Sequence, residues 1–311
     1  MHLMILAALM WFKQNGIRLV VFENGVGGRA DPSNILNPII ACLTEMTLDH
    51  QDLLGPTLED IVADKAAIVK QTTQKLILGS ANADVRRLVR DHVANTTIVA
   101  LTEEYTISGY NDRLNYRSEY HNVAEQPLHT TALFQKQNAG TALAALEALM
   151  AYNVPIHWER ALNALSHVQI PCRYEKRTFR DGLVLIDGAH NPYEMETLMK
   201  AMALDKFIPD RVVLSLTTGR SSLDMLKPLS QLNASFDVIA SPFKERRMPK
   251  AEIHQAFTDL GLSWTYYDHL DLFLQTSPFK KQQTLITGSL YLAGVLRTYI
   301  IDADRKLHIK T

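Results

Sequence analysis

LVVFENGVGGRADPSN, residues 19–34, is the stretch whose reading decides the fold. Leu19, Val20, Val21 and Phe22 are apolar on both faces, the pattern of a parallel strand buried beneath helices on each side. Glu23 follows at the predicted carboxyl end, then a glycine-rich loop (Gly25, Gly27, Gly28) and Arg29, Asp31, Pro32 and Asn34. Open α/β sheets bind ligands outside the carboxyl ends of their strands, so a carboxylate beside a bare-backbone loop points to a polyphosphate or metal site. The alternative is a plain turn with a solvated glutamate, and spacing alone leaves both readings open. Gly25, Gly27 and Ala30 fit the G-x-G-x-x-G/A dinucleotide fingerprint, which requires a helix at its third position. Here Pro32 and Pro38 intervene, and the next apolar run starts at Ile39. A parallel crossover needs at least about 10 to 12 residues, so the nicotinamide reading is demoted on geometry.

The 311 residues predict two domains, each large enough for its own core. An apolar fraction of 47% and a charged fraction of 21% exclude a disordered chain. A net charge of −1 gives no electrostatic footprint for nucleic acid, so an anionic ligand must be held by local groups. Cys42 and Cys172 lie too far apart in sequence to resemble a disulfide framework or a zinc pair, and reduced thiols in the cytoplasm are expected. MHLMILAALMWF is too short to span a bilayer and has no basic residue ahead of it. It reads as a buried helix with no capping residue, the mark of a truncated start. No membrane association is expected.

A second strand is predicted at Ile39–Thr44, with Asp49 and His50 beyond it, in the layer of Glu23 if the two strands run parallel. Thr57 as N-cap with Asp60 at N3 predicts a helix to about Val69, in which Lys65 reads as an ordinary exposed lysine. Strand and helix alternate through KLILG, ADVRRLVRDHV and TIVAL. Thr102–Phe134 reads as antiparallel hairpins. Gln137–Tyr152 reads as a buried helix with Asn138 in its first turn, and a further helix runs from about His157 to Ser166. Val168–Arg177 forms the predicted joint between domains 1–167 and 168–311, followed by a hairpin turning at Asp181 and Gly182. Beyond it, GLVLIDGAHNP, RVVLSLTT, FDVIAS, LSWTYY and TLITGS mark a second doubly wound α/β domain. Asp187, His190 and Asn191 follow its first all-apolar strand, and Gly288 and Ser289 follow the last, where Ser289 would cap the final helix. Polar groups at the strand ends of both domains predict a substrate bound between them. An Asp187–His190 turn pair is the plainer alternative.

The order of the motifs adds a further constraint. ENGVGGRADPSN, TLDHQDLLGPTL, DKAAIVK, FQKQNA, IPCRYE, LIDGAHNP and ITGSLYLAG closely resemble, in sequence order, the motifs of the folylpolyglutamate synthase and dihydrofolate synthase family. These are ATP-dependent amide ligases related to the murein peptide ligases, and GAHNP looks like the folate branch. The resemblance covers nearly the whole chain. It implies an α/β protein of two doubly wound domains: an N-terminal P-loop-type ATPase-like domain, here incomplete and with a β-hairpin insertion, and a C-terminal Rossmann-like glutamate ligase domain. It implies a reaction in which ATP phosphorylates a carboxylate of a folate or pteroate and the amine of L-glutamate attacks the acyl phosphate.

By similarity, Glu23 and His50 are Mg2+ ligands, and Lys65 matches the family lysine that becomes carbamylated, which replaces the plainer reading of it. Asn138 resembles the adenine contact, Arg173 the arginine that reaches the phosphates, and Asp187 a ribose contact. His190 and Ser289 resemble residues that hold the incoming glutamate. Lys65, Asp187 and His190 are thus the expected reaction-centre groups. The chain departs from the family pattern at Asn24 (a small apolar residue there), Ala67 (glycine), Phe134 (histidine) and Cys172 (glycine). No G-x-x-x-x-G-K-[ST] occurs in these residues, whereas the family opens with a strand, a GTNGKGS-type loop and a helix. The expectation is a fragment or misassigned start with negligible ligase activity alone, with a monomer as the implied state. A non-catalytic binding paralogue and a murein-type amino-acid ligase are the competing readings.

Overall fold

The computed structural model describes residues 2–276, 279 and 282–308. The chain divides into two compact units. One comprises the residues up to Gly109 with Arg113–Pro127 and Gln135–Leu165, the other Tyr110–Asp112, Leu128–Phe134 and the chain from Ser166 onward. The architecture is mixed α/β, as the alternating pattern predicts.

In the first unit, α1 (His2–Gln14) is followed by β1 (Ile40–Leu43), α2 (Gln51–Leu54), α3 (Leu58–Ala66), β2 (Lys75–Leu78), α4 (Ala83–His92) and β3 (Thr97–Ala100). The three strands form a parallel sheet in the order β1-β2-β3, with Leu43 opposite Leu78 and Leu78 opposite Ala100. Thr57 and Asp60 close a capping box at the start of α3, each side chain accepting the other residue's backbone N–H. Val62 and Ala66 of α3 and Val85, Leu88 and Val89 of α4 pack with Leu76 and Leu78 in one core. Full burial of each such leucine or valine contributes about 2 kcal/mol. A separate antiparallel sheet holds β4 (Tyr105–Ser108), β5 (Arg113–Ser118) and β6 (Asn122–Pro127). It is followed by α5 (Leu133–Met150) and α6 (Trp158–Leu165). Gly140 of α5 comes so near β4 that an added Cβ would lie 2.4 Å from Ile107 Cγ2. Further along α5, the buried Glu147 accepts hydrogen bonds from Tyr116 Oη (2.8 Å) and Ser118 Oγ (2.7 Å) and lies 2.9 Å from His121 Nδ1. His121 stacks on Trp158 with ring centroids 3.8 Å apart.

Three expectations need correction here. Leu19–Phe22 is not a buried strand: it forms no ladder with any described strand, and Val21 is 93% exposed. An all-apolar segment becomes a strand only where neighbours take up its amides and faces, and among the described residues β1 pairs only with β2. Glu23 therefore does not stand on a sheet edge with Asp49 and His50. The second correction concerns α1, which forms but is not buried: Leu3, Met4, Met10 and Trp11 are exposed, and Ile5 alone of its residues is buried. The third is the start of α5 at Leu133, one turn ahead of the predicted Gln137, which puts Asn138 beyond the first turn.

The second unit opens with the hairpin β7 (Glu175–Phe179) and β8 (Gly182–Ile186), joined through Arg180 and Asp181, both with positive φ. Two successive left-handed residues make the turn whose twist matches the strands. Then follow α7 (Pro192–Asp205), β9 (Arg211–Leu214), α8 (Ser222–Leu226), β10 (Ser235–Ile239), α9 (Lys250–Asp259), β11 (Trp264–Tyr267), α10 (Leu270–Gln275), β12 (Gln283–Thr287) and α11 (Leu290–His308). The six strands run in the order β11-β10-β9-β12-β8-β7, parallel except for β7. Alternate residues face opposite sides: Leu185, Val212 and Leu285 meet residues of α7, α8 and α9, whereas Ile186, Val213 and Ile286 meet residues of α10 and α11. β12, last in sequence, lies between β8 and β9. The loops after β8 and β12 therefore leave adjacent strands for helices on opposite faces, which opens a crevice at their carboxyl ends. No described helix is long and apolar enough to cross a membrane.

Candidate active site

Asp187 sits where β8 ends, its N–H still donating to Ile286 O (3.0 Å). Its side chain is 3% exposed and accepts two backbone amides, Tyr174 N at Oδ2 and Ala189 N at Oδ1, each at 2.8 Å. Burial pushes its pKa up to about 6, against the pull of those amides and of Arg173. Gly188 follows and donates to Cys172 O (2.8 Å). A Cβ on Gly188 would lie 2.6 Å from Leu290 Cδ1, so the loop packs on the first residue of α11.

His190 is half-buried. Its amide donates to Glu194 Oε2 (2.9 Å), and its Nδ1 lies 2.9 Å from Gly188 O and 3.1 Å from Glu194 Oε2. A carbonyl can only accept, so the proton belongs on Nδ1, which leaves Nε2 with a lone pair when the ring is neutral. Asn191 caps α7 by accepting Glu194 N–H (2.8 Å), and Pro192 takes the first helical position. The loop after β12 is tied to this one, since Gly288 N donates to Ala189 O (2.8 Å). Gly288 has φ +84°, and a Cβ there would lie 2.7 Å from Ser215 O. Ser289 comes next, half-buried, with Oγ 3.5 Å from Leu292 N. That is the outer limit of a hydrogen bond, so the predicted cap is loose. Arg173, also half-buried, lies on the turn whose next residue bonds Asp187. The structure thus brings Arg173, Asp187, His190 and Ser289 to one end of the second unit's sheet.

In the first unit, the glycine loop is closed by its own carboxylates. Asp31 accepts the amides of Gly25 (2.9 Å), Val26 (3.3 Å) and Ser33 (2.9 Å). Burial works to raise the pKa of Asp31, but the Ser33 hydroxyl and these amides outweigh it, and the net shift is downward. Asp64 of α3 accepts Gly28 N (2.7 Å) and Arg29 N (3.3 Å). These amides are occupied and so are not free to cradle an anion. Gly27 has φ +69°, and a Cβ on Gly28 would meet Asp64 O and Lys65 O at 2.7 and 2.8 Å, so the loop lies against the end of α3 that carries Lys65. Lys65 is half-buried there rather than exposed, and Glu23 is exposed just ahead of the loop. His50 takes a left-handed conformation at the start of α2, its amide donating to Asp49 Oδ1 (2.9 Å). Asn138 is exposed on α5. Among the described residues no three His, Cys, Asp or Glu side chains form a metal-ready group. Mg2+ commonly takes one or two protein donors with phosphate and water, so Glu23 and His50 fit at most such a partial set.

Sequence reasoning missed Asp31, Asp64, Glu175 and Glu194. Asp31 had a local signal, because Asp-Pro-Ser is an Asx-turn pattern. Asp64 had none, lying 36 residues from the amide it accepts.

Comparison with protein-family profiles gives no match. Among curated proteins, the chain is 26% identical over 302 residues to the folylpolyglutamate synthase of Lacticaseibacillus casei, covering 94% of this chain and 69% of that protein. It is 26% identical over 310 residues to the dihydrofolate synthase/folylpolyglutamate synthase of Bacillus subtilis, covering 95% and 71%. Among solved structures, the Escherichia coli FolC complex with DHPP and ADP matches with a TM-score of 0.77 at 26% identity, covering 96% of this chain and 70% of that one. Its relatives and structural neighbours over nearly the whole chain are thus folylpolyglutamate and dihydrofolate synthases. The likeness bears on Cys172, where the resembled pattern has glycine: the residue has φ +58°, a conformation that glycine takes without cost. At Ala67, by contrast, φ is −63°, so the family's glycine is not required by the backbone here.

Proposed function

We propose that this chain carries the glutamate-ligating site of an ATP-dependent amide ligase acting on a folate or pteroate. The supporting observation is the junction of the β8 and β12 loops, where Asp187, His190 and Ser289 meet beside the turn of Arg173. A carboxylate resists amines until one oxygen becomes a phosphate leaving group. The γ-phosphoryl of ATP passes to the substrate carboxylate, giving ADP and an acyl phosphate. The amine of glutamate then forms the amide and expels phosphate. In this reading Arg173 meets the phosphates, Asp187 the ribose and Asn138 the adenine. His190 and Ser289 orient the incoming glutamate, whose carboxylate suits the first turn of α11. Lys65, carbamylated, would supply a carboxylate beside Mg2+, with Glu23 and His50 as protein donors. The cation supplies charge neutralisation of the triphosphate. A cytoplasmic monomer completes the proposal.

The 311 residues contain no G-x-x-x-x-G-K-[ST], and their glycine loop is closed by Asp31 and Asp64. These residues alone are therefore expected to hold ATP·Mg2+ only weakly. Isothermal titration tests this, and micromolar affinity would contradict it. The reaction is tested by ADP release from a chain extended at its N-terminus with a strand, GTNGKGS-type loop and helix. Glutamate-dependent release with tetrahydrofolate or dihydropteroate is expected. Binding without turnover would support a non-catalytic paralogue, and turnover only with a murein precursor would identify the other ligase branch.

A further inference from the structure

Glu175 opens β7, is 2% exposed, and is not among the groups assigned above. Its carboxylate takes three charged or backbone donors. Arg297 Nε of α11 reaches Oε2 at 2.7 Å, Arg177 Nε reaches Oε1 at 2.6 Å, and the amide of Cys172 donates to Oε2 at 2.9 Å. The last of these matters most, because Cys172 and Tyr174, which flank Arg173, both have left-handed backbones (φ +58° and +50°). Residues with a Cβ adopt that conformation only where their surroundings impose it. Every amide of the turn is bonded: Cys172 N to Glu175, Arg173 N to Ile170 O (3.2 Å) and Tyr174 N to Asp187 (2.8 Å). The carbonyl of Cys172 accepts Gly188 N (2.8 Å).

We propose that Glu175 is a positioning residue for Arg173: anchored by Arg297, it holds the Cys172 amide and so fixes the strained turn that carries the arginine and bonds Asp187. The role of Arg173 rests on the phosphate contact proposed above, whereas the link from Glu175 to Asp187 does not. A consequence is that α11, which Ser289 directly precedes, and the arginine turn are held in one hydrogen-bonded frame.

The test uses the full chain with Glu175→Ala and Glu175→Gln. Glutamine keeps an acceptor for Cys172 N–H but loses the charge that Arg297 and Arg177 oppose. The first readout is the titration of Asp187 by carboxyl-selective NMR. Glu175→Ala should raise its pKa by about one unit as the Tyr174 amide drifts away, with Glu175→Gln between alanine and the parent. A folded Glu175→Ala protein with Asp187 unmoved overturns the proposal, and if alanine does not fold, an unmoved Asp187 in the glutamine variant does so. The second readout is ADP affinity. Glu175→Ala should weaken it about tenfold, as Arg173→Ala does, and the double variant should be no worse than Arg173→Ala. Additive losses would overturn the positioning role. If Arg173→Ala leaves ADP affinity unchanged, the phosphate contact fails, and the Asp187 titration decides the positioning role on its own.

Discussion

Asp187 makes the folding of this protein depend on pH in a direction opposite to that of most carboxylates. Its buried side chain is pushed up to about 6 from an ordinary value of 3.8, primarily by desolvation. A raised acid binds its proton more tightly in the folded chain than in the unfolded one. Its contribution to stability is therefore fully present below the unfolded pKa and is lost as pH rises through the folded pKa. The shift of roughly two units corresponds to about 3 kcal/mol, nearly all of it lost between about pH 4 and pH 7. Asp187→Asn removes this dependence. Asparagine offers one oxygen to the amides of Tyr174 and Ala189, so one amide goes unsatisfied at a cost of about 1–3 kcal/mol that does not vary with pH. The diagnostic quantity is thus the difference in slope rather than the difference in stability at any one pH. Urea unfolding from pH 4 to pH 7, followed by 19F NMR of fluorotryptophan at Trp264, reports on the second unit, where Trp264 stacks on Phe257. The parent should lose about 2–3 kcal/mol relative to Asp187→Asn over that range. Parallel curves would refute the reasoning and show that desolvation of this carboxylate is compensated in the folded state.

Gly28→Ala should destabilise the first unit by about 2–3 kcal/mol, since its Cβ would lie within 2.9 Å of Asp64 O, Lys65 O and Ile68 Cγ2. Gly219→Ala, at φ +87° with open space around it, should cost only about 1 kcal/mol. Equal losses in chemical denaturation would contradict the close packing of the glycine loop on α3. Glu147→Ala leaves Tyr116, Ser118 and His121 without their shared acceptor and should cost about 3 kcal/mol or more, with Glu147→Gln costing less. Unfolding monitored at Trp158, which stacks on His121, would show it. A loss below about 1 kcal/mol would mean that water replaces the carboxylate.

Much of this architecture is legible in the sequence wherever the signal is local. The Thr57–Asp60 capping box appears as its residue types dictate, whereas the hairpin turns at Arg180 and Asp181, one residue ahead of the expected Asp181 and Gly182. In the second unit, β8 and Val212–Leu214 of β9 are recognisable as all-apolar runs because helices cover both faces of the sheet. The failures share one cause. Leu19–Phe22 and α1 carry the apolar composition of buried elements, but burial is a property of neighbours, and among the described residues these segments lack them. The closure of the glycine loop by Asp64 and the anchoring of the Cys172 turn by Arg297 through Glu175 join residues distant in sequence, and no local pattern announces them. The Asp187–His190–Ser289 group lay between these extremes. Each residue is visible at a strand end, but only the order of the motifs points to the common purpose proposed above.

The most direct test of that purpose is the glutamate dependence of ADP release in the N-terminally extended chain, compared with its His190→Ala form. Loss of the imidazole held between Gly188 O and Glu194 should raise the KM for glutamate at least about tenfold while leaving the KM for ATP nearly unchanged. An unchanged requirement for glutamate, with His190→Ala folded and turning over, would contradict the assignment of this strand-end site.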